Sequence, residues 1–206
     1  MKTRVLASLA FALALGGCLS VLPEPEIPSA LISLPSDRAH APADPLLADV
    51  AVYPPDSTRA FAGIDIAVRS DQEMVYLGDV RWVDTAPRLL QGAVVDALAK
   101  AGGNGRAAPA QLAARTDYDV RWRIVDLSAS KDIGPVRVEV EASLMDSATR
   151  RILAQETFKA EGAPTDRAPR ARAAALAIAA QSVADQVAAF AAKNAAAKPP
   201  RPLSVN

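Results

Sequence analysis

Residues able to do covalent or acid–base chemistry are scarce in this chain of 206. It has one cysteine, Cys18, and one histidine, His40. An intrachain disulfide needs a second thiol, and a His/Cys metal site needs several ligands, so neither a metal nor a cofactor is expected. His40 stands between Ala39 and Ala41 in a proline-rich stretch. A general base must be held within hydrogen-bond reach of its partner, and such a stretch is expected to hold nothing. Glu139 and Glu141 form a carboxylate pair, but their i, i+2 spacing in an alternating segment puts both on the polar face of a strand. Gly102-Gly103-Asn104-Gly105 is rich in glycine, yet it follows a helix end rather than opening one. The dipole there repels phosphate, so the segment reads as a cap and loop. No catalytic residue is assigned. The one thiol with a chemical context is Cys18, behind Leu15-Gly16-Gly17.

That context extends to the N-terminus. Lys2 and Arg4 precede an apolar run of 11 residues, Val5 to Leu15. The run is short for a membrane span and fits an export signal. Leu15-Gly16-Gly17-Cys18 resembles the bacterial lipobox, with leucine three before the cysteine and small residues next to it. The resemblance implies cleavage before Cys18 and diacylglyceryl modification of its thiol. Two or more acyl chains (palmitate-like) anchor stably, where one does not. Leu19, not aspartate, follows the cysteine, which by the same resemblance favours the outer membrane over the inner one.

Composition bounds the rest. The chain is 50% hydrophobic but 4% aromatic, much of it alanine, which favours helices and a modest core. Its 23 basic and 23 acidic residues balance, so bulk charge gives no sign of a nucleic-acid partner. Residues 1–17 are expected to be the signal peptide, 18–46 the lipidated cysteine and a tether, 47–192 one folded domain, and 193–206 a disordered tail. In the tether, Pro23, Pro25, Pro28, Pro35, Pro42 and Pro45 interrupt regular structure. Leu31-Ile32-Ser33-Leu34 is its one apolar knot and could dock as an edge strand.

The best-punctuated element of the domain runs from Arg81 to Gly103. Asp84 or Thr85 can cap a helix, Pro87 fits its first turn, and Gly102-Gly103 supplies the stop. Leu90, Val94, Leu98 and Ala101 share one face. Strands are expected at 49–53, 63–69 (Ile64, Ile66 and Val68 inward) and 74–77, with Gly78-Asp79 as a break before Val80-Arg81-Trp82. Further strands follow at 118–127, 136–144 and 151–160. In the last, Ile152, Ala154 and Phe158 are expected inward. Antiparallel pairing of the first two would set Arg121 and Arg123 against Glu139 and Glu141. Thr165-Asp166 caps a second helix, with Leu176, Ala180, Val183, Val187 and Phe190 along its inner stripe. The order implies an α+β fold, a mixed or mainly antiparallel sheet with two principal helices on one face.

Several segments in this order resemble the auxiliary lipoproteins of ABC-type transport systems, among them the lipoprotein of the paraquat-inducible intermembrane transport system. They are the Leu-Ile-Ser-Leu-Pro element, Ile64-Asp-Ile-Ala-Val-Arg69, Val75-Tyr-Leu77, Arg81-Trp82-Val-Asp-Thr-Ala-Pro87, the Tyr118-Asp-Val120 strand and the long alanine-rich C-terminal helix. The likeness spans roughly Leu31 to Ala192. It implies a non-enzymatic accessory beside an ABC permease and ATPase and an MCE-domain substrate-binding protein, moving phospholipids or other hydrophobic compounds between membranes. This chain would dock that system at the outer membrane from the periplasmic side, alone or as a homo-oligomer. The alternative is a structural envelope lipoprotein that binds peptidoglycan or assists outer-membrane assembly.

Arg81 and Trp82 are the signature residues of the resemblance. Either Trp82 packs beneath the first helix while Arg81 pairs with an acid such as Asp79 or Asp84, or the two form an exposed patch for a partner.

Overall fold

The computed structural model describes residues 27–112, 115–131 and 134–198. Eight strands form one mixed sheet: β1 (Ala30–Ile32), β2 (Val50–Val52), β3 (Asp65–Ser70), β4 (Glu73–Trp82), β5 (Ala107–Pro109), β6 (Tyr118–Ser130), β7 (Val136–Asp146) and β8 (Ile152–Gly162). Two helices, α1 (Ala86–Ala99) and α2 (Pro169–Asn194), pack against each other, and α2 also lies on the sheet. The α+β fold is as the sequence implies.

Strand β6 is the spine. Along one edge it pairs antiparallel with β7, which pairs in turn with β8. Its other edge is shared: β2 runs parallel to it at Tyr118–Val120, and β3 runs parallel at Ser128–Ser130. Beyond β2 lies β5; beyond β3 lie β4 and then β1. The sequence reason is length. A strand of 13 residues can serve two shorter neighbours end to end.

Alternation explains β7. Val136, Val138, Val140, Ala142 and Leu144 are buried, while Arg137, Glu139, Glu141 and Ser143 face outward. Strand β8 is an edge, and of its three expected inward residues only Phe158 is fully buried, edge-to-face on Phe190 of α2. Ile152 is exposed, because nothing covers the start of an edge strand. Helix α2 buries its whole expected stripe and much of its alanine as well. Small side chains let it sit close to α1 and the sheet together. By length and composition α2 could cross a bilayer, but 67% of its most apolar stretch is buried inside this fold.

Helix α1 starts at Ala86 with Pro87 in its first turn. Thr85 is the N-cap but its side chain makes no capping bond; Asp84 Oδ1 instead accepts from the Thr85 N–H. At the other end Gly103 takes a φ of +106°. It and Gly105 lie against the backbone of Leu46 and Ala48, where a Cβ would sit 2.3 and 2.4 Å from carbonyl oxygens. Beyond that loop β5 forms a short parallel pair with β2, an element the glycine-rich sequence did not announce. Helix α2 also departs from expectation at its start. Ala168 is the N-cap, and Asp166 Oδ1 accepts from the Ala168 N–H one turn early.

Three other details differ from the sequence reading. Gly78-Asp79 does not end a strand: β4 continues through it as a wide bulge against β3, with Asp79 at φ +60°. Ala67 is as buried as Ile66 and Val68, whereas Ile64 is exposed. The chain after Lys193 is not loose as far as Lys198. Ala195 is buried, the Tyr118 hydroxyl donates to the Ala196 carbonyl (3.1 Å), and Lys198 Nζ reaches Asp146 at 2.5 Å.

Candidate functional site

The signature pair sits where three elements meet. Arg81 and Trp82 end β4, opposite Leu31 and Ile32 of the parallel β1. The Trp82 N–H donates to the Ile64 carbonyl (2.8 Å), and the Val83 N–H donates to Ile32 (2.9 Å). Trp82 is 2% exposed. Its ring shares a small apolar gap with Leu34, Leu89, Leu90, Leu127 and Ala180. Trp82 therefore packs beneath the helices and is not an exposed patch. Arg81 pairs with Asp65 across the β3–β4 bulge, Nε to Oδ1 at 3.0 Å, rather than with Asp79 or Asp84. Asp84 approaches Arg88 instead, at 3.9 Å. The signature thus locks the strand that follows the N-terminal segment to the start of α1.

That N-terminal segment holds more than its prolines suggest. Strand β1 is the edge strand that the apolar knot foretold. Downstream, the His40 N–H donates to Asp185 Oδ2 on α2 and its Nδ1 lies 3.1 Å from the same oxygen. Gln181 Nε2 holds the other carboxylate oxygen at 2.9 Å. Lys100 Nζ, at the end of α1, donates to the carbonyls of Ser36 and Ala39. Leu46 closes the run inside the core, its N–H donating to Gly102. Residues 30–46 form a strap across both helices. His40 does have a partner, contrary to expectation: the Asp185 carboxylate of α2.

Apolar side chains remain exposed along the strap. Ile27 (87%), Leu31 (58%) and Ile178 of α2 (43%) lie on the β1 side of the molecule. Leu31, Ile178, Ala174, Ala177, Asp37 and Arg38 line an open groove of about 390 Å³ there. This surface, unlike buried Trp82, is open to a partner.

Electrostatics are distributed over the outer sheet face. Arg123 and Glu141 are directly opposed and doubly hydrogen-bonded at 2.9 and 3.0 Å, which raises the arginine pKa and lowers that of the glutamate. Arg121 does not join Glu139. It lies opposite Ser143 and stacks on the Tyr53 ring, 3.2 Å from its centroid. Glu139 pairs with Lys159 of β8 at 3.0 Å. Asp119 is buried, and takes hydrogen bonds from Ser147 Oγ and Arg150 Nη1. Asp146 is held well below the usual carboxylate range, chiefly by Lys198 and then by the Thr149 N–H. Among the described residues, no three His, Cys, Asp or Glu side chains group to hold a metal ion. Cys18 lies outside the described residues.

The family model for the ABC-type transport auxiliary lipoprotein component matches residues 31–188, from β1 to the last turns of α2. The chain belongs to this family. It is therefore a lipoprotein of the bacterial envelope associated with ABC-type transport. No curated protein matches the chain. Among solved structures, protein XCC0632 from Xanthomonas campestris is similar at a TM-score of 0.67 and 20% identity, covering 81% of this chain and 94% of its own. An uncharacterized protein follows at 0.59 and 17%, covering 82% and 99%. A PelC dodecamer from Paraburkholderia phytofirmans superposes at 0.45 and 16%, covering 77% and 95%. At these identities the first two establish a shared fold.

Proposed function

We propose that this lipoprotein is a non-enzymatic docking component of an ABC/MCE-type transport system. Lipidated at Cys18 and held at the outer membrane on its periplasmic side, it would bind the MCE-domain protein and, through it, the permease and ATPase. The cargo class is phospholipid or another hydrophobic compound. The family match over residues 31–188 carries this reading. The geometry supports it in a second way. The end of β4 that carries the signature pairs with β1 and ties it to the sheet, as suits a domain joined to a membrane anchor at its N-terminus. The groove beside β1, with Leu31 and Ile178 exposed, is the surface we assign to the partner or to a second copy of the chain.

The test is affinity capture from detergent-solubilised envelope, with wild type beside Cys18→Ser, read by mass spectrometry. Recovery of an MCE protein and its permease with wild type is the expected result. Their persistence with Cys18→Ser would assign the contact to the folded domain. Recovery of peptidoglycan or outer-membrane assembly proteins in their place would overturn the reading in favour of a structural envelope lipoprotein.

A further inference from the structure

Strands β3 and β6 finish side by side, and the end of the sheet there opens into a polar cleft of about 450 Å³. Three cations line it: Arg69 at the end of β3, Lys131 just past β6, and Arg137 at the start of β7. Strand register brings them together. Arg69 is opposite Ser130 in the parallel pair, so the Lys131 N–H donates to the Arg69 carbonyl at 2.9 Å. Arg137 is opposite Ser128 in the antiparallel pair and forms the far wall.

Each arginine is braced by one acid through one nitrogen. Arg69 Nη2 meets Asp126 at 2.8 Å, and Arg137 Nε meets Glu161 at 3.1 Å. These contacts orient the guanidinium planes and leave their other N–H groups for a ligand. Lys131 makes no ion pair among the described residues. Among the described residues Asp71 is the one carboxylate in the lining, and Arg172 adds a fourth cation behind the wall, donating to the Ser130 carbonyl. Among the described residues, four cations thus stand against three carboxylates. Ser70 and Ser130 bring hydroxyls to the same space. Gly134 closes on Ser130 so tightly that a Cβ would lie 2.7 Å from its Oγ; a larger residue would displace that hydroxyl.

Donors arriving from three walls suit an anion whose oxygens point in several directions, and planar carboxylate does not. We infer that this cleft binds a phosphate-type oxyanion, either free or as the headgroup of an anionic lipid. Its position fits the second source as well as the first. Ser29, near the first described residue, accepts from Arg170, and Arg172 two residues on reaches the cleft wall. The cleft and the point where the chain leads back toward Cys18 therefore share one end of the molecule. The inference goes beyond the docking role and does not depend on the identity of the transporter.

The experiment uses the chain from residue 18 to 206 carrying Cys18→Ser, so that no acyl group contributes. Inorganic phosphate is titrated at constant ionic strength against chloride, and backbone amide shifts are followed by NMR. The expected result is saturable shifts centred on Ser70, Ser130 and Lys131. Lys131→Glu, which breaks no ion pair among the described residues, is expected to weaken binding by about tenfold or more with an unchanged melting temperature. Arg137→Gln is expected to weaken it as well. A second arm sediments the protein with phosphatidylcholine vesicles, with and without phosphatidic acid. Recruitment by phosphatidic acid that Lys131→Glu abolishes identifies a lipid headgroup; phosphate binding without recruitment identifies a soluble phosphate. Shifts that never saturate, or equal affinity in Lys131→Glu, would overturn the site, as would vesicle recruitment indifferent to Lys131→Glu.

Discussion

Trp82 is the side chain on which the N-terminal half of the fold depends. It is buried where β1, β4 and both helices meet. Trp82→Ala should leave a cavity and cost about 3–5 kcal/mol, read as a lower denaturation midpoint of the soluble domain. An unchanged midpoint with lost partner capture would reverse the packing assignment. Arg81→Ala should cost no more than about 1 kcal/mol, since its pair with Asp65 is surface-exposed. Asp146 makes a pH prediction. Its carboxyl is depressed in the folded state, so protonation favours the unfolded chain. The stabilisation is complete above the ordinary carboxylate pKa and is lost as pH falls through the depressed folded value. Lys198→Met should flatten the acid limb of the melting-temperature profile, because it removes the main cause of the depression. The sequence left Trp82 open between a place beneath the first helix and an exposed patch, and it did not show the partners of Arg81 and Arg121. Asp65 lies 16 positions before Arg81 and becomes its neighbour only through a bulge, and Tyr53 meets Arg121 only once β2 has joined β6.

Elements were read most securely where periodicity ran long. The polar face of β7, Leu90, Val94 and Leu98 of α1 and the stripe of α2 match expectation, whereas Ala101 lies past the end of α1. Short pieces escaped because they draw stability from context. Strand β5 has three residues and forms because Gly103 and Gly105 let the chain lie flat on Leu46–Ala48. Gly105→Ala should therefore destabilise the fold by well over about 1 kcal/mol, since backbone rather than a flexible side chain must give way. Unfolding by urea would show it as a lower midpoint. Residues 195–198 were unreadable for a similar reason. An alanine-rich tail has no pattern, and its hold comes from Tyr118 and Asp146, far away in sequence. The cleft at the end of β3 and β6 was equally hidden, because its three cations come from three strands and share no local spacing.

At the scale of the whole molecule, chemistry and architecture divide cleanly. The cysteine proposed for lipidation precedes the described fold, and the fold from β1 onward is the family's domain. Cys18→Ser should move the protein from the membrane fraction to the soluble fraction on cell fractionation, with the melting temperature of the folded part unchanged. Retention in the membrane fraction would place the anchoring on the domain surface, and the groove beside Leu31 would be the first region to mutate.

The strap gives this arrangement a mechanical character. If the protein is held at Cys18 and a partner pulls on its body, the load enters through Ile27. It is then borne by Arg170 on Ser29, by Ser29 on Asp79 and by the three residues of β1. A pull along β1 strains its cross-strand bonds together rather than one after another. Behind them the load passes through Leu34, packed near Trp82, and through His40, Lys100 and Leu46 before it reaches the core. The strap is thus a fuse in series with the domain. Once it parts, it pays out roughly 60 Å of chain at full extension, so a sudden tug would lengthen the leash before it could unfold the body.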